Sequence, residues 1–583
     1  MTTPPRLHRC ARFFPFLTWP RLDAALLRRE GLAGMTVGLM VIPQGVAYAA
    51  LAGMPLVTGI YAALWPALVA VLFGASLRLS VGPTALTCLL VSASLQGMAA
   101  PGSAAWVSLA VWLALLSGLV QVGLGLLRGG WLLNVVNAPV LMAFTQAAAL
   151  LIIASQWPDV WGLGRPLGAW VQAPTLPHLP ALAFGMGSVA LLLVIRRWKP
   201  AFPSVLVLVL GSAGLSWVLG FEAAGGAVIG ALPSGLPSLY VPSWPGWAVL
   251  EQLVLPTLVI ALVSFLEAAS SAKVDNERLG RPWHQDQDLI GQGLGKLAAA
   301  VTGTFPTSAS FSRSALFLFS GAQTGWASVA SVLVVLAALV VLTPVLHHVP
   351  RAVLAAVVVV AVVNMVQPMA FVRLWRVSRI EALTAGTTWL LTLWAAPRLY
   401  WGVLVGVLMA LSHFLYQHLH PRIIEVGLHG DGSLRDRHLW HLPLLAPHTL
   451  ALRMDANLDF ATAAAFERRI VNDVAARPDT RHVVLLTQPI NRIDATGVET
   501  LLKVLRQLQT QGIALHLSGI KLPVERVLEQ APGWPVGHAA ATAAGLHSYR
   551  TDADTLVALA ALSTDDAAPN SSPTPSSASF ALT

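Results

Sequence analysis

Between residues 31 and 418 one apolar stretch follows another, and charge all but disappears from their interiors. A helix needs about 20 apolar residues to cross the hydrocarbon core of a bilayer. Eleven stretches fit that requirement, near 32–50, 56–73, 106–127, 131–153, 181–197, 203–221, 248–268, 325–345, 351–366, 377–395 and 400–418. Three shorter ones, 83–97, 288–302 and 308–320, are interrupted by Gly, Pro or Ser. Together they predict a membrane all-α body of about fourteen segments. Charge content agrees. Only 11% of the 583 residues are charged, against about 25% in soluble domains. So few charges cannot clothe a chain of this size in water, and disordered, collagen-like and coiled-coil classes fail on the same ground.

Lys and Arg number 36 against 27 Asp and Glu, a net charge of +9. A basic chain can signal a nucleic-acid binder, but here the charges flank apolar stretches. Arg6, Arg9, Arg12, Arg21, Arg28 and Arg29 all precede the first span, which the positive-inside rule assigns to the cytoplasm. An even segment count then predicts a multi-pass protein of the cell inner membrane with both termini cytoplasmic. No nucleic-acid partner is expected. The two cysteines, Cys10 and Cys88, exclude a disulfide framework and a four-cysteine metal site. Because it is long, contains Pro43 and Gln44 and runs into further spans, the first stretch does not read as a cleavable signal.

Two interrupted segments carry the functional expectation. One reads Phe73-Gly-Ala-Ser-Leu-Arg-Leu-Ser80-Val-Gly-Pro83-Thr-Ala-Leu86, the other Thr304-Phe-Pro-Thr-Ser-Ala-Ser310-Phe-Ser-Arg313-Ser-Ala-Leu316. Ser80-x-x-x-Thr84-Ala85-Leu86 lies over Ser310-x-x-x-Ser314-Ala315-Leu316. Each has the form of a helix that begins partway through the membrane. Unpaired backbone survives at that depth only where it lines a protein cavity. A helix start there aims free N–H groups and about half a positive charge at the cavity. Two such starts face to face would form an anion site, and paired broken segments in the two halves of a chain are a transporter's sequence sign. Ser80 and Ser310 suit N-cap positions, and Pro83 suits a first helical turn. Ordinary kinked spans are the alternative.

The remainder, 421–563, alternates strands (448–454, 482–487, 513–518) with helices (461–470, 497–506, 522–530), the pattern of a small α/β domain. Asp494 stands where it can cap the second helix. A Ser/Pro-rich tail, 564–583, is expected to be disordered, and residues 1–30 form a basic cytoplasmic N-terminus ahead of a transport body at 31–420.

The chain resembles the SulP (sulfate permease) family over about 21–560. The resemblance rests on Gly34-Met-Thr-Val-Gly-Leu-Met-Val-Ile-Pro43-Gln44-Gly-Val-Ala-Tyr48, Gly59-Ile-Tyr61, Ser80-Val-Gly82-Pro83, Ser264-Phe-Leu-Glu267, Phe311-Ser312-Arg313 and Val349-Pro350-Arg351. Asn491-Arg-Ile-Asp494-Ala-Thr-Gly-Val-Glu-Thr-Leu501 is similar to the STAS domain that ends such transporters. This implies seven plus seven inverted-repeat segments in core and gate domains, a STAS domain that assists dimer assembly, and elevator-type alternating access. It also implies an anion site built from Pro43, Gln44 and Tyr48, from Val81, Gly82, Pro83 and Thr84, and from Ser310, Phe311, Ser312 and Arg313. Certain bicarbonate-transporting relatives bind sodium through an aspartate about one position before Glu267, where this chain has Leu266.

Individual residues keep two readings each. Glu267 lies in the apolar run 258–269. An ionised acid at mid-membrane costs roughly 2.5–3.5 kcal/mol, so Glu267 is a candidate proton carrier or else a neutral acid bonded to a neighbouring helix. Arg313 would attract an anion, pair with Glu267 or snorkel. Gln44 and Tyr48 face either the anion or their packing neighbours. Arg78 is expected at lipid headgroups and the Arg373–Arg379 cluster on a cytoplasmic flank. Thr496, at a site phosphorylated in related anti-anti-sigma proteins, and Asp494 are the regulatory candidates, each otherwise a helix-start residue. Gly291-Gln-Gly-Leu-Gly295 reads as close helix packing. The histidines, His347 and His348 among them, have no carboxylate or cysteine at ligand spacing, so no metal is expected. No cofactor, P-loop or nucleophile elbow is indicated, which argues against an enzyme.

The expectation is a secondary active transporter of a small oxyanion, sulfate first, by proton symport or anion exchange. Dicarboxylates such as fumarate or succinate, and bicarbonate, are the rival substrates, and a nucleobase permease is a weaker rival. A non-transporting sensor that signals to a cytoplasmic partner through its STAS domain is the rival of another class.

Overall fold

The architecture is described from a computed structural model, covering residues 14–565 apart from 136, 164–169, 171, 173–175, 199–203, 232–234 and 342. The expected tail lies outside the described residues from 566 onward, as do residues 1–13 of the basic N-terminus. The chain forms two compact units that divide at Ala410–Leu411.

The first unit is almost wholly helical. Its first half contains α1 (Ala24–Leu51), α2 (Val57–Tyr61), α3 (Trp65–Phe73), the two-residue strand β1 (Val81–Gly82), α4 (Ala85–Leu95), α5 (Ala104–Leu126), α6 (Ala138–Val160), α7 (Leu179–Trp198) and α8 (Ser204–Val218). The second half runs α9 (Trp247–Arg278), α10 (Gln285–Val301), β2 (Ser308–Ala309), α11 (Phe311–Phe319), α12 (Trp326–Val341), α13 (Thr343–Leu346), α14 (Arg351–Val362), α15 (Pro368–Val377), α16 (Arg379–Trp394) and α17 (Tyr400–Leu419). Seven helical stretches among the described residues are long and apolar enough to span a bilayer. A helix occupies every one of the expected segments, and α15 is an additional helix with no buried residue that carries Arg373 and Arg376.

Packing reveals an internal symmetry. α10 lies against α5, and α3 lies against α12. α1 packs on α12 and α5 on α9; α1 meets α11 and α4 meets α9. These pairs interchange when each first-half helix is replaced by its counterpart in the second half, as an inverted repeat requires. One group forms around α1, α3, α4, α5 and α9–α12, and another around α6, α7, α14 and α16. Glycine permits the closest approaches. A methyl group on Gly293 would lie 2.8 Å from the Gly118 carbonyl, and one on Gly291 would lie 2.7 Å from Gly74 Cα. The glycine run 291–295 is therefore a packing face.

The second unit has a six-stranded sheet. Strands β3 (Ile423–Leu428), β4 (Leu434–Asp436), β5 (Thr449–Met454), β6 (His482–Leu486), β7 (Ala514–Ser518) and β8 (Leu546–Tyr549) take the order β4-β3-β5-β6-β7-β8. β5 to β8 run parallel, and β3 is antiparallel to both its neighbours. Helices α18 (Ala463–Ala475), α19 (Ala495–Thr510), α20 (Leu522–Glu529), α21 (His538–Ala543) and α22 (Asp552–Asp565) complete it. Leu450, Leu452, Phe466, Val483, Leu501 and Leu515 form its core. Sequence periodicity predicts β5, β6 and β7 but not β3, β4 or β8; β4 and β8 are short and mostly half-buried or exposed, whereas β3 is six residues long with four of them buried.

Candidate functional site

The two interrupted segments meet. β1 pairs antiparallel with β2, Val81 opposite Ala309 and Gly82 opposite Ser308. The Ser310 N–H donates to the Ser80 carbonyl at 2.9 Å, and the Ser80 N–H donates to Ser314 Oγ at 3.0 Å. The small sheet thus uses backbone groups that would otherwise stand unpaired at membrane depth. It also brings the N-termini of α4 and α11 together, where the first-turn N–H groups have no acceptor within their own helix.

Capping differs from expectation at the first helix. Thr84, not Ser80, is the N-cap of α4, and its hydroxyl accepts from the Thr87 N–H. Pro83 precedes the cap instead of entering the first turn. The cause is the strand: residues 81–82 are extended, so the helix starts one turn later than the serine match implies. Thr84 corresponds to Ser310, which does cap α11, and the sequence superposition of Ser80 on Ser310 is out by about one turn.

Arg313 is buried in the first turn of α11. Its Nε donates to Ser80 Oγ at 3.3 Å and its Nη1 to the Pro83 carbonyl at 2.9 Å. Nη2 has no partner among the described residues, and a methyl group on Gly82 would lie 3.4 Å from it. Among the described residues Arg313 is bonded only to neutral oxygens, so no direct ion pair cancels its charge. Val81, Gly82, Pro83 and Thr84 are buried around it; Phe311 and Ser312 are exposed at the start of α11. Ser310 Oγ and Ser312 Oγ lie 3.2 Å apart.

Helix α1 packs on both α4 and α11. It carries Pro43, Gln44 and Tyr48, all buried, and Gln44 Oε1 has no partner among the described residues. Glu267, half-buried on α9, lies beside the cap of α4. Its Oε2 accepts from Thr84 Oγ1 at 3.1 Å and from Thr87 Oγ1 at 3.4 Å. Of the readings open to Glu267, this geometry gives hydrogen bonding to the neighbouring half-helix, not a pair with Arg313.

Arg78 is buried and ion-paired with Asp275, not placed at headgroups. An arginine so near a broken helix is held by an acid from α9, a partner remote in sequence. Asp288, also unforeseen, accepts from the Ala75 and Ser76 N–H groups at 2.7 and 2.9 Å and from Trp283 Nε1 at 2.7 Å, anchoring the turn before β1. Lys296, fully buried, donates to Gln121 Oε1 at 2.9 Å, and Gln121 Nε2 donates to Ser264 Oγ at 3.1 Å. A lone lysine within an otherwise apolar run was the available signal. In the second unit Asp494 caps α19, its Oδ1 accepting from the Gly497 N–H at 2.8 Å, and Thr496 is exposed in the first turn.

A profile described as Sulfate permease family matches residues 27–388, and a STAS domain profile matches 445–532. The chain is 31% identical over 516 residues to a probable sulfate transporter of Mycobacterium tuberculosis, covering 87% of this chain and 91% of that one. It is 29% identical over 534 residues to sulfate transporter 4.1, chloroplastic, of Arabidopsis thaliana, covering 87% and 77%. Among solved structures, the murine Solute Carrier 26 family member A9 anion transporter in the inward-facing state aligns at TM-score 0.85 with 19% identity over 96% of both chains. The transmembrane domain of a cyanobacterium bicarbonate transporter aligns at 0.55 with 18% identity, over 67% of this chain and 98% of that one.

Proposed function

The chain belongs to the sulfate permease family and carries a STAS domain, and from this premise we propose that it is a secondary active transporter of a small oxyanion, sulfate first. The observation that carries the proposal is the head-to-head approach of α4 and α11 beside Arg313. An oxyanion entering this region gives up hydrogen bonds to water and gains fixed N–H donors, two helix starts and a guanidinium. Gln44 and Tyr48 close the region from α1, with Phe311 and Ser312 at its exposed edge.

Glu267 couples the proton in this scheme. When ionised, its carboxylate sits on the cap of α4 and opposes a second negative charge near that helix start. When protonated, it removes the opposition and keeps a hydrogen bond to Thr84 or Thr87. Anion and proton therefore favour one another's binding, which is the linkage symport needs. The two packing groups, one bearing both half-helices, support elevator-type motion of one against the other. Residence in an inner membrane with cytoplasmic termini, homodimerisation and a STAS-binding partner belong to the same proposal.

Labelled-sulfate uptake into proteoliposomes, with and without an inward proton gradient, tests it. Saturable uptake that Arg313→Ala abolishes is expected. Uptake of fumarate, succinate or bicarbonate in place of sulfate would reassign the substrate. Absence of uptake for all of them, with a protein partner on the STAS domain, would replace transport with sensing.

A further inference from the structure

The loop after α8 and the connector after α13 are zipped together by their backbones. The Ile229 N–H donates to the Val349 carbonyl at 3.0 Å, Gly230 N–H to the His347 carbonyl at 3.1 Å, and Arg351 N–H to the Ala227 carbonyl at 2.9 Å. Arg351 Nε adds a bond to the Val228 carbonyl at 3.2 Å. On this platform the side chains of Glu222, His347 and His348 converge, and one ligand-type atom from each lies within 4.8 Å of the other two. Glu222 supplies the carboxylate that the His347-His348 pair lacks in sequence. The expectation of no metal-ligand constellation is therefore revised for this pair.

We propose that Glu222, His347 and His348 bind a divalent transition-metal cation of the zinc class, at a site separate from the anion region.

The donor set selects the cation. Imidazole nitrogen with a carboxylate oxygen suits zinc and its neighbours in the first transition row, whereas calcium takes six to eight oxygens and magnesium near-octahedral oxygen. Metal–ligand bonds of about 2.0–2.2 Å place donors in a tetrahedral zinc site roughly 3.3–3.5 Å apart. His347 Nε2 and Glu222 Oε2 are 3.3 Å apart already. A simple ion pair explains those two atoms, but not the convergence of the His348 ring, whose centroid lies 4.8 Å from that of His347. Glu222 is exposed and both histidines are half-buried, so small rotations can close the set around an ion. Three protein donors leave a fourth position for water.

The test uses the full-length, tag-free chain in detergent, stripped with a chelator and titrated with zinc chloride against a zinc-binding dye. Wild-type protein is expected to take up one more zinc ion per chain than His347→Ala/His348→Ala. Glu222→Gln is expected to weaken that uptake at least tenfold. Cobalt(II) is expected to give the absorption bands of a low-coordinate site in wild type and to lose them in the double variant. Size-exclusion profiles and helix content that match wild type establish that the variants fold. Equal zinc uptake by folded wild type and double variant, or unchanged affinity in Glu222→Gln, would overturn the proposal.

Discussion

Arg313 shows how one side chain can hold two sequence-remote segments in place. Its guanidinium spans Ser80 Oγ and the Pro83 carbonyl with separate nitrogens, while Nη2 has no partner among the described residues. A lysine presents one compact ammonium and cannot reproduce that fork. Arg313→Lys is expected to keep the fold and lose at least tenfold in anion uptake, measured as initial rate in proteoliposomes; a rate equal to wild type would remove the fork from the site. Glu267→Gln keeps an acceptor oxygen for the cap threonines but cannot ionise, so uptake should persist with its dependence on a proton gradient gone. Unaltered gradient dependence would assign the proton elsewhere. Lys296 offers a stability test. Gln121→Leu strips the buried ammonium of its acceptor, and a lost partner for a buried polar group costs roughly 1–3 kcal/mol or more. Lys296→Met removes the charge and should be milder. Thermal unfolding in detergent should rank Gln121→Leu below Lys296→Met, and the reverse order would contradict this account.

At the scale of elements, closeness of approach decides the body of the molecule. α10 lies against α5 and α3 because glycines at 291, 293 and 295 leave no side chain between the backbones. In a membrane such contact supplies packing that the hydrophobic effect does not. Gly293→Leu is therefore expected to separate α10 from α5 and lower the folded yield severalfold, read by size-exclusion of the detergent extract, while Gly187→Leu, at a position open to space, serves as the tolerated control. The half-helices show what pattern can and cannot give. Broken, polar-edged segments are visible in sequence because Gly, Ser and Pro interrupt an apolar run. The cap at Thr84 is not, since Val81 and Gly82, just ahead of Pro83 and the cap, are held extended by pairing with β2. The burial of Arg78 is illegible for a similar reason: nothing local announces Asp275.

On the scale of the whole molecule, the second unit responds to pH through groups that water does not screen. His516 is buried between β6 and β8; burial first, then the neighbouring His547 and His482, lowers its pKa from 6.5 to about 3. The folded unit therefore holds His516 neutral, while the unfolded chain takes up a proton below about 6.5. Stability from this group is complete above that pH and is lost as pH falls toward 3. Protection of the β7 amides, taken relative to their intrinsic exchange rate at each pH, should fall across this range, less so in His516→Gln; an identical profile in both would refute the assignment. Glu425 acts in the same direction at lower pH. Burial raises its carboxyl, but hydrogen bonds and charge from Arg477 and Arg437 outweigh burial and leave it below the ordinary range.

By itself the amino-acid order determined the class of the protein. Apolar length dictates membrane spans, strand–helix alternation dictates the C-terminal unit, and the motif order identifies the family, because each is a property of neighbours along the chain. Tertiary structure alone decided which polar groups meet. Thr84 with Glu267, Arg313 with Pro83, Arg78 with Asp275 and Glu222 with His347 are each separated by more than a hundred residues. No local periodicity encodes such pairs, since they arise only when hydrocarbon leaves each buried polar group one place to find a partner.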